Sequence, residues 1–144
     1  MPPDAAPRRK QPAAKRPRPA FFRPSDEMRR IAALLGAELE SFPDVSTKPM
    51  FGLLGYYRDG VIFAALPRTK ALGSASSFIF KLNAAPVRVL DRARQDPRIS
   101  ISHKGMSGWQ SLEISSHRDI SAAQHWLLEA WRYAAKAKKK RGSS

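Results

Sequence analysis

The residues best suited to bind a metal or move a proton are three histidines, His103, His117 and His125. None belongs to an H-x-H or H-x-x-x-H pair, and the chain has no cysteine. A zinc site would have to recruit carboxylates from distant positions, so no metal is expected. The lack of cysteine also excludes disulfides, iron–sulfur clusters and a cysteine nucleophile. No serine sits in a G-x-S-x-G elbow; Ser107, within Gly105-Met106-Ser107-Gly108, reads as a turn residue. Gly73-Ser74 lacks the spacing of a phosphate loop. Glu38 and Glu40 are two apart, which puts them on different sides of a helix rather than in an acid–base pair. The chain is therefore read as non-enzymatic, with no catalytic residue and no cofactor.

The chemistry that the sequence does announce is charge. Residues 1–24 hold seven bases against one acid, a net of +6. Residues 132–144 hold six bases and no acid, again +6, while residues 25–131 hold 13 bases and 11 acids, a net of +2. Lysine and arginine runs bind phosphate polyanions without reading sequence, because each neutralised phosphate releases a counterion. The expected nucleic-acid contacts are Arg8, Arg9, Lys10, Lys15, Arg16 and Arg18, with Lys136, Lys138, Lys139, Lys140 and Arg141. The partner is nucleic acid, bound non-specifically. No apolar run approaches the ~20 residues of a membrane span. The ends also lack the apolar face of a membrane-surface helix, so no membrane partner is expected. The opening residues MPPDAAPRRK carry no apolar signal stretch, and a cytoplasmic location is expected.

Those ends must hang on a folded body. Residues 1–24, rich in proline and alanine, are expected to be a disordered tail, residues 25–135 a single domain and residues 136–144 a lysine-rich tail. Ser25 caps a first helix from Asp26 to about Ser41, whose apolar face is Met28, Ile31, Leu35, Leu39 and Phe42. Gly36 costs that helix about 1 kcal/mol relative to alanine, so packing must hold it. Asp59-Gly60 is a two-residue hairpin turn pairing Arg58 with Val61, Tyr57 with Ile62, Tyr56 with Phe63 and Leu54 with Ala65. Both faces of this hairpin are apolar, which marks either full burial or an exposed contact surface. Gly52 and Gly55 point to a bulge or a close approach by another group.

Residues 68–76 read as a flexible loop. A third strand carries Phe78, Phe80 and Leu82, and a short helix from Val87 to Gln95 turns Val87 and Leu90 inward. A fourth strand carries Ile99 and Ile101, and a fifth runs from Trp109 to Ile114. A last helix starts at the Ser121/Gln124 capping box, with Ala123, Leu127, Ala130, Trp131 and Ala134 inward. The order α-β-β-β-α-β-β-α predicts an α+β fold with an antiparallel sheet of about five strands. The aromatic residues of that sheet are expected to serve the core, since Arg58 and Lys81 are the only bases on the strands so read.

The stretch Met50-Phe51-Gly52, followed by Tyr56, Asp59-Gly60 and Phe63-Ala64, resembles the N-terminal domain of TfoX/Sxy-type proteins and the related YjbR-like domains. Phe80-Lys81-Leu82, Trp109 and the helix begun by Asp119 fit the remainder of that pattern, over roughly residues 27–136. The resemblance implies a small α+β domain and, from the founding members, a regulator of DNA uptake; it implies no catalytic residue. The leading expectation is thus a regulatory or adaptor domain tethered to nucleic acid by its ends. A homodimer or protein-partner contact is expected on the 50–66 hairpin, through Met50, Phe51, Leu54, Tyr56 and Tyr57, with Trp109 beside them. The alternative is a small-molecule- or protein-binding module with solubilising tails.

Overall fold

A computed structural model describes residues 21–101 and 108–142. The chain folds as α+β, in the order β1 (Phe21–Phe22), α1 (Asp26–Glu40), β2 (Val45–Met50), β3 (Leu53–Arg58), β4 (Val61–Pro67), β5 (Ala71–Leu72), β6 (Ser77–Lys81), α2 (Val87–Gln95), β7 (Ile99–Ile101), β8 (Trp109–Glu113) and α3 (Arg118–Gly142). An antiparallel six-stranded sheet has the order β2-β3-β4-β6-β8-β7, and β1 and β5 make a separate two-stranded pair.

The helices share one face of the large sheet. Alternation in β6 sends Phe78 and Phe80 to that face, where they are fully buried with Phe63, Leu66 and Leu112. Helix α1 meets them through Met28, Ile31, Leu35 and Leu39, and α3 through Ala123, Trp126, Leu127, Ala130 and Ala134. Phe80 stacks on Trp126 with ring centres 6.0 Å apart. Each such buried side chain contributes roughly 1.5–3 kcal/mol relative to exposure. The first helix ends where expected and is capped as expected: Ser25 Oγ accepts the Met28 amide at 3.0 Å.

Several expectations are corrected. Strand β2 is absent from the elements expected from the sequence; its largely exposed residues give no apolar alternation, and Pro49 argues against a central strand. Position at the sheet edge resolves this, because an edge strand tolerates proline and profits from lysine. The expected pairings of Tyr56 with Phe63 and of Leu54 with Ala65 are each off by one, Leu54 pairing with Leu66. Arg58 and Tyr57 pair with Val61 and Ile62, but Tyr56 pairs with Ala64, across a register shift that leaves Phe63 as the extra residue. That irregularity lets both Phe63 and Ala64 enter the helix-side core.

Residues 68–76 are not simply a loop, for Ala71 and Leu72 are buried and form β5. Phe21 and Phe22 pair with Leu72 and Ala71, so the ordered body starts before residue 25. In α2 the buried residues are Val89 and Ala93, with Leu90 partly buried against the core as expected, while Val87 is 70% exposed. Helix α3 begins at Arg118 rather than Ser121, after a turn in which Asp119 Oδ2 accepts the amides of Ser115 and Ser116. Gln124 does not close a capping box and instead donates to Glu38. The same helix runs to Gly142, and Ala137 packs against the core. Alanine, lysine and arginine are strong helix formers, and lysines suit the negative end of the helix dipole.

Candidate nucleic-acid interface

The expected contact surface splits between the two faces of the sheet. Leu54 and Tyr56 turn toward the helices, where Tyr56 is only 3% exposed. Tyr56 is therefore no partner surface: strand alternation sends it inward, against α1. Its hydroxyl lies where a Cβ on Gly36 would be, at 2.3 Å, which explains the mid-helix glycine. Burial first, and Glu40 second, push the Tyr56 hydroxyl up to about 12, with Arg68 pulling it the other way. It stays neutral, a hydrogen-bonding group at the floor of an open groove of about 690 Å³ between α1 and β2–β4. Arg29, Arg68 and Thr69 stand at that groove together with Glu40 and Thr47.

Met50, Tyr57 and Trp109 lie on the opposite face, which no helix covers. Met50 and Trp109 pack on a small second cluster of Leu53, Ala65, Leu72 and Ile79. Leu72, carried by β5, closes one half of this face, held by Ser77 Oγ donating to its carbonyl at 2.8 Å. Tyr57 and Trp109 are half-buried on the other half. Gly55 sits between the side chains of Met50 and Tyr57, which an added Cβ would meet at 3.0 and 3.2 Å.

Each of the two aromatic rings has a lysine. Lys48 Nζ lies 5.8 Å from the Tyr57 ring centre, and Lys81 Nζ lies 5.8 Å from that of Trp109. Both distances fall within cation–π range. Lys48 is the candidate site residue that sequence reading missed, because its strand was missed. Its signal was there in Ser46-Thr47-Lys48-Pro49-Met50, the polar arm of an edge hairpin. Arg58, by contrast, is spent on the fold: its guanidinium lies 3.6 Å over Trp131, and Nη1 donates to the Trp131 carbonyl.

Phe51 is at the tip of the β2–β3 turn, 76% exposed and at φ 47°, with Gly52 at φ 84°. A bulky side chain in the left-handed region is strained. The Gly52 carbonyl compensates by accepting the amides of Arg68, Thr69 and Lys70 at 3.2, 2.9 and 3.0 Å. A cleft of about 420 Å³ next to this strap is lined by Phe21, Phe22, Arg23, Arg29, Thr69 and Lys70. The basic N-terminal segment thus joins the body beside further bases.

Arg8, Arg9, Lys10, Lys15, Arg16 and Arg18 lie outside the described residues, as does His103. Lys136, Lys138, Lys139, Lys140 and Arg141 occupy consecutive turns at the end of α3. His117 and His125 are exposed, and no group of three potential metal ligands occurs among the described residues. No helix among them is long and apolar enough to cross a membrane.

Six of the body's acids are engaged with arginines. Asp26 pairs with Arg29, Glu27 with Arg30, Asp91 with Arg94 and Glu129 with Arg132. Arg98 bridges Asp96 and Asp119 at 3.1 and 2.6 Å. Bonds from the Ser115 amide and Arg98 hold the Asp119 carboxyl below its ordinary range. Burial works to raise Asp96, but the Arg98 amide, the Trp126 indole and the Arg98 guanidinium outweigh it and hold Asp96 low as well. No protein-family model matches this chain, and no curated protein or solved structure matches it.

Proposed function

We propose that this protein is a non-enzymatic regulatory or adaptor domain that associates with nucleic acid through its two basic ends, in the cytoplasm. One observation carries the reading. The ends hold +6 each, and five carboxylates of the body are already paired with the body's own arginines. The cations of the ends therefore look outward for their counter-charge, and a phosphate backbone supplies it at matching density. The similarity of Met50–Ala64 to TfoX/Sxy-type domains supports the same DNA-linked setting.

The test is binding to random-sequence duplex DNA at graded salt. Log K against log salt should fall with a slope of about −5 if some six phosphates are engaged. Removing residues 1–20 and 138–144 spares β1 and the packed Ala137. That variant should lose at least about 100-fold in duplex affinity at low salt. Undiminished binding by the shortened protein would overturn the reading.

The groove above Tyr56 favours a second reading, a small-molecule module. Its volume of about 690 Å³ and its mixture of apolar floor and convergent polar groups suit a ligand site. Saturable shifts of the Gly36, Thr47 and Arg68 amides with small carboxylates, in a protein indifferent to DNA, would favour it.

A further inference from the structure

The helix-free face is closed over one half and open over the other. Leu53, Ala65 and Ile79 lie under Leu72 and are buried. Across the open half, register sets Tyr57 of β3 opposite Ile62 of β4, and Lys81 of β6 opposite Trp109 of β8. Lys48 enters from β2, opposite Gly55 and beside Tyr57. The open half is thus an antiparallel floor with an aromatic ring near each side and an ammonium next to each ring. Glu113 projects from the same face, but both its oxygens accept serine hydroxyls, from Ser74 and Ser76. Neither Lys48 nor Lys81 has a carboxylate ion-pair partner among the described residues.

Tyr57 and Trp109 stand three strands apart, about 14 Å at ordinary strand spacing. That suits bases about two or three nucleotides apart in a splayed strand. A duplex cannot use such a floor, since its base faces are hidden in its own stack. A symmetric second copy is disfavoured too, because it would bring Lys48 and Lys81 of both copies into one contact without an acid to pair them. The chain also roots its N-terminal basic segment at this face: β1 pairs with β5, whose Leu72 covers the closed half.

We propose that the open half of the helix-free face binds single-stranded nucleic acid, with Tyr57 and Trp109 stacking on bases and Lys48 and Lys81 contacting the phosphates between them. The proposal rests on the reading that the basic ends attract nucleic acid, and it adds strand selectivity to it. The ends supply non-specific attraction, and the face supplies preference for unpaired bases.

The experiment uses the full chain, an oligothymidylate of about twelve nucleotides and a duplex of equal length, followed by anisotropy and tryptophan fluorescence. The single strand should quench Trp109, and the Trp109→Leu variant should abolish that quench, since Trp126 is buried in the core and the Trp131 ring is covered by Arg58 and Phe42. Tyr57→Leu with Trp109→Leu keeps apolar volume on the sheet and should weaken single-strand binding roughly 10- to 100-fold while duplex binding stays unchanged. Lys48→Gln with Lys81→Gln leaves the packing alone and should reduce the single-strand salt slope by about 1.4. Equal losses for single strand and duplex, or single-strand binding without any Trp109 quench, would overturn the proposal while leaving the basic-end reading intact. Failure of the full chain to bind either nucleic acid would remove both. A dimer in light scattering that Tyr57→Leu converts to monomer would also overturn it, by showing the face to be a self-contact.

Discussion

The two faces of the six-stranded sheet are both apolar, yet they are built to different ends. Toward the helices stand Phe63, Phe78, Phe80, Leu66 and Leu112, which are essentially inaccessible to water. Away from them the centre of the sheet is made of Gly55, Ala65 and Ile79. The large side chains there, Tyr57 and Trp109, are pushed outward and left half-covered, each with a lysine. One face fills volume between layers; the other presents a thin floor. The difference teaches that apolar content alone does not distinguish a closed core from a partly open face. Residue size at the centre of the sheet, and cations at its margin, do.

Truncation on each face tests this contrast most strongly. Phe80→Ala should cost about 3–5 kcal/mol, because it removes the ring stacked on Trp126 and leaves a cavity. Tyr57→Leu, on the open face, should cost under about 1 kcal/mol. Urea unfolding of the two variants measures both, and comparable losses would show the open face to be ordinary core.

A smaller effect sharpens the account of the covered face. Gly36→Ala improves helix propensity by about 1 kcal/mol, yet its new methyl would stand 2.3 Å from the Tyr56 hydroxyl. Overpacking of this kind costs about 1–3 kcal/mol, so the net change should be destabilising. Adding Tyr56→Phe removes the clash, and the double variant should be at least as stable as the parent. Non-additivity in thermal melts is the readout; strict additivity would break the explanation for the glycine.

The smallest effect concerns acid. Asp96 and Asp119 have carboxyls held below their ordinary range in the folded protein. Their contribution is fully present above the unfolded value of about 3.9 and is lost as pH falls through the lower folded values. Stability should therefore decline below about pH 4, as the Arg98 bridge between α2, β7 and α3 loosens. Asp119→Asn should flatten that decline in denaturant midpoints taken from pH 5 down to 2. The open face carries no such bridge, so its lysine–aromatic pairs should persist through the same range.

Much of the fold was legible in local chemistry. The Ser25 cap, the α1 stripe, the Asp59-Gly60 turn and the alternation of Phe78, Ile79 and Phe80 each depend on neighbours a few residues away, and each stands as read. The charge partition also needed nothing but the sequence. What local pattern misjudged were Val45–Met50 and Ala71–Leu72. An edge strand needs no apolar periodicity, and a two-residue strand is too short to show one. Both form because a partner strand or sheet face is already present.

The sequence by itself determined that a nearly neutral α+β body carries two strongly basic ends, because composition and short-range periodicity act within a few residues along the chain. Only the tertiary structure decided that Leu54 and Tyr56 serve the covered face while Tyr57 and Trp109 stand on the open one. It alone brought Lys48 to Tyr57 and Lys81 to Trp109. A register shift at Phe63, an edge strand and the cover lent by Leu72 set those positions. Each is a contact between residues far apart in the chain, settled by packing rather than by propensity.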